Sequence, residues 1–434
     1  MKEGRDFTGI GRQAGVPGQN LQHFMSNSPW SARAVIERVQ SEIAATPGVD
    51  RGGMLLLDES ADVKAGEKSA GAGRQHNGRT GSIQMSQVGT FLAYANAGVG
   101  LWAWVDGELF IPERWFADEE AELRRRVGIP EGRAFRTKIE LGWEMIQRAR
   151  VPYEAVACDT LYGRSVWLRR EMAGAGILYM AEVPASTQVY LTEPVVGVPT
   201  REPGRRGGKP TKARVLSPGR PIEVRRVAEL DDTEWRRVRV RATERGQLED
   251  QFAARPVWTT YKNDEKGQAA VGQPVREWLV MRVRGDGKRS YALSNAAPDA
   301  PLERLAWLKC QRYFVERANQ DAKSEAGWDE LRAQKYAAWE HHLALTVLAT
   351  WFIAETKLEW ARAAGRDPSL AAQFEVEVLP ALSAANVREM LRAALPLPRL
   401  SPEDAASLVV EHLVNRTRSR RSRLKKRQPI DPPP

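Results

Sequence analysis

The chain has 434 residues, enough for at least one full hydrophobic core and, by length alone, for two or three domains. Its 65 Lys and Arg outnumber its 55 Asp and Glu, and the net charge of +10 favours an acidic partner such as nucleic acid. Two widely separated cysteines exclude a disulfide framework and a closely spaced metal motif. The N-terminus lacks the apolar core of a signal peptide, and no apolar run is long enough for a membrane span. We therefore expect a soluble, cytoplasmic protein.

The positive charge is concentrated in two segments. Residues 416–427 contain eight Lys or Arg and no acid, and residues 201–226 contain nine Lys or Arg and two Glu. These segments carry +8 and +7, so the rest of the chain carries −5. The tail at 416–434 is predicted to be disordered, because its charge is unpaired and it ends in prolines. It would either hold DNA non-specifically or only keep the chain in solution.

Predicted strands and helices alternate in the first part of the chain. The predicted order is helix 21–45 capped by Ser28 or Ser31, strand 54–60, two strands within 86–112 joined by a turn at 96–98, helices 113–128 and 137–150, strand 153–159, helix 164–174 and strand 176–184. Two of these strands carry acids at or near their carboxyl ends. This pattern indicates an α/β layer arrangement, and its order matches a ribonuclease H-like core.

The character of the sequence changes after about residue 187. Pro, Gly and Arg dominate residues 194–221, and the alternation at 234–242 and 276–284 is typical of antiparallel strands. Long helices are predicted again at 301–327 and 337–363. The second is strongly apolar, so we expect it to pack on the sheet.

Asp58 and Asp159 follow the two buried strand patterns of the first part. Phosphodiester cleavage commonly uses two hard cations, one at the attacking oxygen and one at the leaving oxygen. Magnesium takes oxygen ligands and keeps part of its shell for water and phosphate. If the two strands are neighbours, the two aspartates converge into such a site. The alternative for each aspartate is a helix cap or a turn residue, which spacing alone favours.

Residues 308–325 predict a helix with a polar face. The side chains at positions i, i+4, i+7, i+8 and i+11 are Arg312, Glu316, Asn319, Gln320 and Lys323. The simplest interpretation is a solvated stripe in which an Arg312–Glu316 pair contributes about 0.3–0.5 kcal/mol.

This helix resembles the catalytic helix of the insertion-sequence DDE transposases, which carries Tyr-x2-Arg-x3-Glu-x6-Lys. Arg312, Glu316 and Lys323 match its last three positions, whereas Lys309 stands at the Tyr position. Further similarity covers LLLDES with the Gly-rich segment after it, ELFIPERW, ACDTLYG and KYAAWEHHLALTVLA. Together these stretches run over about residues 21–352, and their combination is specific although each one alone is weak.

The resemblance implies a DNA transposase with a ribonuclease H-like mixed sheet flanked by helices and interrupted by a β-rich insertion. Asp58, Asp159 and Glu316 would be the catalytic residues and would bind two Mg²⁺ ions, which Mn²⁺ can replace. The 157 positions from Asp159 to Glu316 would hold the insertion. The expected partners are double-stranded DNA, both transposon terminal inverted repeats and target DNA, and a second copy of the chain when bound to DNA. A bacterial, nucleoid-associated protein is expected.

Several basic and aromatic residues are candidate DNA contacts. By resemblance, Arg312 and Lys323 would touch phosphates near the cut. Basic residues of the Gly-rich segment would line the DNA path, unless that segment is only a solvated loop; they are Lys64, Lys68, Arg74 and Arg79. Trp258 or Tyr261 would receive a flipped base, with core packing as the alternative.

The predicted domain organisation follows from these segments. It comprises an N-terminal helical segment at 1–50 as a shortened DNA-binding region, the first part of the core at 51–186, the β-strand insertion at 187–290, the second part of the core at 291–365, C-terminal helices at 366–415 and the basic tail at 416–434.

Two other functions use the same core. A catalytically defective or repurposed regulator would bind DNA without moving it, and the short N-terminal region and Lys309 are the features that suggest it. A resolvase or repair nuclease would prefer branched DNA to linear ends.

Overall fold

A computed structural model describes most of the chain. The described residues are 6–78, 81–200, 208, 210–218, 220–243, 246–260, 262–263, 270–363, 369, 372 and 381–394. Arg79, Tyr261 and the basic tail at 416–434 lie outside them, as does most of the region predicted to form C-terminal helices. None of the helices in the described part of the chain combines the length and the apolar run that a bilayer crossing needs.

A large mixed sheet forms the centre of the molecule. The strands are β1 Gly53–Val63, β2 Gly73–Asn77, β3 Ser82–Asn96, β4 Leu101–Phe110, β5 Ala155–Cys158, β6 Leu178–Val183, β7 Gln188–Val189, β8 Val195–Gly197, β9 Arg214–Ser217, β10 Ile222–Glu223, β11 Arg236–Thr243, β12 Gly246–Thr259, β13 Lys262–Asn263, β14 Ala270–Val271, β15 Val275–Val283 and β16 Arg289–Ser294. Among the described residues, ten strands join this sheet in the order β11-β12-β15-β16-β6-β5-β1-β3-β2, with β4 paired to β3.

Helices flank the sheet. They are α1 Phe7–Ala14, α2 Gly18–Ser26, α3 Ala32–Ala45, α4 Ala121–Val127, α5 Lys138–Arg148, α6 Thr160–Gly163, α7 Val166–Gly174, α8 Val224–Val227, α9 Leu302–Cys310, α10 Tyr313–Ser324, α11 Tyr336–Ala363 and α12 Ala384–Ala394. The chain is thus a mixed α/β protein, consistent with the ribonuclease H-like fold expected from the sequence.

Strand β1 lies between β5 and β3. It runs parallel to β5 and antiparallel to β3, and β5 in turn runs parallel to β6. Its residues 54–57 are completely buried, as the apolar run predicts. The strand then continues to Val63, several residues beyond the predicted end at 60, because β3 is long enough to pair with all of it. Asp58 therefore lies inside a strand, at the point where the parallel pairing with β5 stops.

The antiparallel strands predicted at 234–242 and 276–284 are present as β11 and β15. They extend the same sheet, because β16 pairs with the core strand β6. In the order of the sheet, β11 is the edge strand on this side. The β-rich segment is therefore continuous with the core sheet through β16 and β6.

Three predicted helices are divided in the structure. Residues 113–128 form two 3-10 turns, Glu113–Phe116 and Asp118–Glu120, before α4 begins at Ala121. Residues 21–45 form the end of α2 and then α3, with Pro29 in the break, and Ser31 rather than Ser28 caps α3 by accepting a 3.1 Å hydrogen bond from the Ala34 amide. Residues 301–327 form α9 and α10, separated at Gln311 and Arg312. The break between α9 and α10 places the start of α10 beside the core sheet. The apolar α11 packs against β4 and α3, as its composition predicts.

Candidate catalytic site

The pairing of β1 with β5 sets the position of the first two acids. Leu57 of β1 lies opposite Cys158 of β5 in a parallel register. The residues that follow, Asp58 and Asp159, are therefore neighbours at one edge of the parallel core. The structure brings together the two aspartates that the sequence singles out.

The electrostatics of Asp58 reflect this crowding. Its Oδ1 accepts a 2.8 Å hydrogen bond from the Glu59 amide. Burial and, after it, the negative charge of Asp159 raise the pKa of Asp58 to about 7, against the opposing effect of Arg312. The positive charge near Asp58 therefore does not fully compensate the cost of ionising its buried carboxyl group. A cation bound at this edge would stabilise the ionised form.

Asp159 is held by the backbone that follows it. It caps the short helix α6, and its Oδ1 accepts hydrogen bonds from the amides of Leu161 at 3.0 Å and Tyr162 at 3.4 Å. Burial nevertheless raises the pKa of Asp159. At Gly163 a Cβ would lie 1.9 Å from the Glu182 carbonyl oxygen, so only glycine allows α6 to sit this close to β6. This close approach keeps the turn that carries Asp159 against the sheet.

Arg312 stands at the start of α10 among four carboxylates. Its Nη2 donates a 3.0 Å hydrogen bond to Glu316, and its Nε lies 3.4 Å from Glu182. Burial alone would lower the pKa of Arg312, but Glu182, Asp58, Glu316 and Asp159 together raise it. The guanidinium is therefore the positive charge that all of these acids share.

Glu316 does not join the aspartate pair in this structure. Its side chain is 60% exposed and pairs with Arg312. In the part of the chain that the structure describes, no three His, Cys, Asp or Glu side chains are arranged to hold a metal ion. The assignment of Glu316 as a third ligand therefore stays a prediction.

The aspartate pair itself fits a divalent cation. Two carboxylates with raised pKa values stand side by side, and their oxygens are the ligand type that Mg²⁺ and Mn²⁺ accept. A metal ion between them would offset both the burial and the mutual repulsion.

Asn319 and Trp104 contact the site, although sequence reasoning assigns neither a role there. The Asn319 side-chain amide donates a 3.2 Å hydrogen bond to Asp58 Oδ2, and its oxygen accepts a 2.9 Å hydrogen bond from Trp104 Nε1. Asn319 lies on the predicted polar face of the helix, which was the available signal. Trp104 lies 215 positions away in sequence, and nothing local indicates the contact.

Lys309, which replaces the signature Tyr, is 3% exposed and forms a buried ion pair. Its Nζ lies 3.5 Å from Glu182 Oε1. Burial lowers the pKa of Lys309, whereas Glu182 opposes that change. Burial would raise the pKa of Glu182, but Lys309 and then Arg312 bring it below its usual value. Glu182 thus connects Lys309 to Arg312, the cation beside the aspartate pair.

The predicted DNA-contacting residues have different surroundings. Lys64 is buried, pairs with Asp62 and donates a 2.8 Å hydrogen bond to the Leu331 carbonyl, so it has a structural role in this conformation. Lys68 is exposed and lines an open cavity of about 700 Å³. Arg74 is exposed on β2, and Lys323 is half-buried in the last turn of α10. Trp258 is half-buried in β12 and exchanges backbone hydrogen bonds with Tyr190.

A comparison with protein families decides the class of the protein. The family model described as DDE superfamily endonuclease matches residues 3–247, more than half of the chain. The chain belongs to this family of DDE endonucleases. A search among curated proteins found no match.

Membership in this family has consequences for the site. DDE endonucleases act on DNA and generally use divalent metal ions. The matched region of this DDE endonuclease contains both Asp58 and Asp159 and ends before Glu316. The match thus covers the positions of both aspartates, whereas the choice of Glu316 as the third acid rests on the resemblance of its helix to the transposase signature.

Proposed function

We propose that this DDE endonuclease is an insertion-sequence transposase that cuts DNA at transposon ends and joins those ends to target DNA. The observation that carries the proposal is the placement of Asp58 and Asp159 side by side at the end of the β1–β5 parallel pairing, where both pKa values are raised. Two crowded carboxylates are costly to the folded chain without a cation, so their placement favours a metal-binding role over a structural one.

The proposed metal ligands are Asp58, Asp159 and Glu316, holding two Mg²⁺ ions that Mn²⁺ can replace. Bound there, the ions would activate the attacking oxygen and stabilise the leaving one. Asp58 and Asp159 already lie together. To join them, Glu316 must break its hydrogen bond with Arg312 and rotate toward the aspartates. Its exposed side chain is free of the packing that would oppose such a rotation.

Arg312 and Lys323 are the proposed phosphate contacts on α10. When Glu316 turns away, Arg312 keeps its ion pair with Glu182. The N–H groups that contacted Glu316 then become available to donate hydrogen bonds to a phosphate oxygen. This positions the scissile phosphate between the helix and the aspartates. Lys68 and Arg74, both exposed, would contact the DNA backbone farther along the path, as would Arg79.

The reaction proceeds in two in-line displacements. A water oxygen forms a bond to the phosphorus at the transposon end while the bond from phosphorus to the 3′ oxygen breaks, and that oxygen leaves as a hydroxyl after gaining a proton. The free 3′-hydroxyl then attacks a phosphodiester of target DNA in the same way. Joining both ends requires two active sites, so we propose a dimer on DNA.

Cleavage by site variants tests the proposal. The substrate is a plasmid carrying the DNA that flanks the gene on both sides, with Mg²⁺ present. We expect Asp58→Ala, Asp159→Ala and Glu316→Ala to abolish nicking and to retain DNA binding in a gel shift. Glu303→Ala, which removes an exposed carboxylate on the adjacent helix α9, is the matched control and should cut normally. Normal cutting by any of the three site variants would refute the assignment of that residue.

The second candidate is a repurposed regulator that binds DNA without cutting it. The observation in its favour is that Glu316 pairs with Arg312 and not with the aspartates. In the same assay, this function predicts a gel shift by the unmodified chain and no Mg²⁺- or Mn²⁺-dependent nicking.

A further inference from the structure

Trp104, Asn319 and Asp58 form a continuous hydrogen-bonded chain from the buried sheet to the aspartate pair. We infer that Asn319 is a positioning residue, oriented by Trp104, that sets the Asp58 carboxylate for metal binding. This inference rests on the proposed function, because it deepens the role of the same site.

The two hydrogen bonds fix the orientation of the Asn319 amide. An indole Nε1–H can only donate, so the Asn319 atom 2.9 Å from Trp104 must be the carbonyl oxygen. The amide nitrogen then necessarily faces Asp58 Oδ2, 3.2 Å away. Trp104 is completely buried, and Phe91 stacks on its ring at a centroid distance of 4.2 Å. The donor that sets the amide is therefore held by the core.

Asp58 in turn is fixed at both of its oxygens. Oδ1 accepts from the Glu59 amide at 2.8 Å, and Oδ2 accepts from Asn319. Two donors on opposite oxygens restrict rotation of the carboxylate, while each oxygen keeps lone pairs for a cation. Partners of this kind commonly change metal affinity by about 10–100-fold when they are removed.

A neighbouring contact provides an internal comparison. Trp102, two residues before Trp104 on β4, donates a 2.9 Å hydrogen bond from its indole to Asp321 on the same helix. This bond anchors α10 to β4 without reaching Asp58. If the Trp104–Asn319 bond served only to anchor α10, losing either indole donor would have the same effect on metal binding. The contact of Asn319 with Asp58 predicts that the effects differ.

The test is Mn²⁺ binding by isothermal titration calorimetry on the full chain without DNA. We expect Asn319→Leu to weaken Mn²⁺ binding by about 10-fold or more. Trp104→Phe should weaken it less, and Trp104→Phe added to Asn319→Leu should have no further effect, because Trp104 acts through Asn319. Trp102→Phe is the matched control and should stay within about twofold of wild type. If Asn319→Leu does not fold, Asn319→Ala makes the same test with a good helix former.

The outcomes separate the inference from the proposed function. Unchanged Mn²⁺ affinity in folded Asn319→Leu or Asn319→Ala, or equal losses in Trp104→Phe and Trp102→Phe, would overturn the positioning role alone. Absence of Mn²⁺ binding by wild type, or binding that Asp58→Ala does not weaken, would overturn the metal site and this inference with it.

Discussion

Arg312 donates a hydrogen bond to Glu316 across 3.0 Å while also facing the aspartate pair. The Arg312 guanidinium thus interacts electrostatically with the same acids that are proposed to bind metal ions. It partly offsets the repulsion between the crowded carboxylates, and it holds the exposed Glu316 side chain by a hydrogen bond.

Asp58 should lower the stability of the metal-free protein at neutral pH. Its pKa rises from 3.8 to about 7 on folding, so the folded state favours the protonated form. The contribution of this group to stability is therefore highest below about pH 4 and falls as pH rises from about 4 to about 7. We expect Asp58→Asn to raise the free energy of unfolding at pH 8 by about 4 kcal/mol, and by less at pH 4. Urea unfolding in EDTA measures this, with the exposed Asp50→Asn as control.

A larger gain at pH 4 than at pH 8 would contradict the proposed cause. The same result would show that burial and Asp159 do not raise the Asp58 pKa.

Arg312 should set the pH at which metal ions bind. Because a proton competes with the cation for Asp58, Mn²⁺ affinity should increase up to about pH 7 and then level off. Arg312 lowers the pKa of Asp58, so Arg312→Gln should move the midpoint of this pH-dependent rise in Mn²⁺ affinity to higher pH. Calorimetric titrations across pH 5.5–8.5 give the midpoint at about half-unit precision. Arg317→Gln, on the same helix, should leave it unchanged, and a midpoint that stays in place or falls in Arg312→Gln would argue against the assigned electrostatics.

Glu182 should be more important to folding than its partner Lys309. Glu182→Gln leaves the Lys309 ammonium buried without an anion, which costs about 3–5 kcal/mol. Lys309→Met removes the buried cation instead and should cost far less, and the double variant should be more stable than Glu182→Gln alone. Thermal unfolding at pH 7 measures all three. A double variant less stable than Glu182→Gln would show that the Lys309–Glu182 pair is not the source of the loss.

Arg169 and Glu277 should couple helix α7 to the antiparallel strands. Arg169 Nε lies 2.9 Å from Glu277 Oε1, and the hydroxyls of Tyr179 and Thr259 donate to the same carboxylate at 2.6 and 2.5 Å. Arg169→Leu would leave that carboxylate buried without its cation, at a cost of about 3–5 kcal/mol. Denaturant unfolding measures this cost. Arg170→Leu, at the next position of α7, is the control, and equal losses in the two variants would exclude a special role for the buried pair.

The sequence predicted the parts of the site that depend on local patterns. The apolar runs before Asp58 and Asp159 gave two buried strands, and burial on both faces is what parallel strands require. The structure pairs these two strands, which is the condition for the two aspartates to converge. The helical spacing from Arg312 onward predicted the polar face of α10, including the Arg312–Glu316 pair.

Other features depend on contacts that no local pattern reports. The bond between Trp104 and Asn319 joins residues 215 positions apart, and no pattern around either residue indicates it. Lys64 is buried and donates a hydrogen bond to the Leu331 carbonyl, 267 positions away in the sequence. Because no local pattern indicates this contact, the sequence predicts an exposed basic loop in the Gly-rich segment. The division between α9 and α10 involves the buried Gln311, whose side chain donates to the Trp307 carbonyl, a contact that helical periodicity does not predict.

Anomalous diffraction from crystals of the protein with DNA ends and Mn²⁺ would locate the metal ions themselves. We expect manganese peaks within coordination distance, about 2.2 Å, of oxygens from both Asp58 and Asp159, with Glu316 turned from Arg312 toward them. Manganese bound elsewhere, or Glu316 still paired with Arg312 in a complex that cuts DNA, would contradict this expectation.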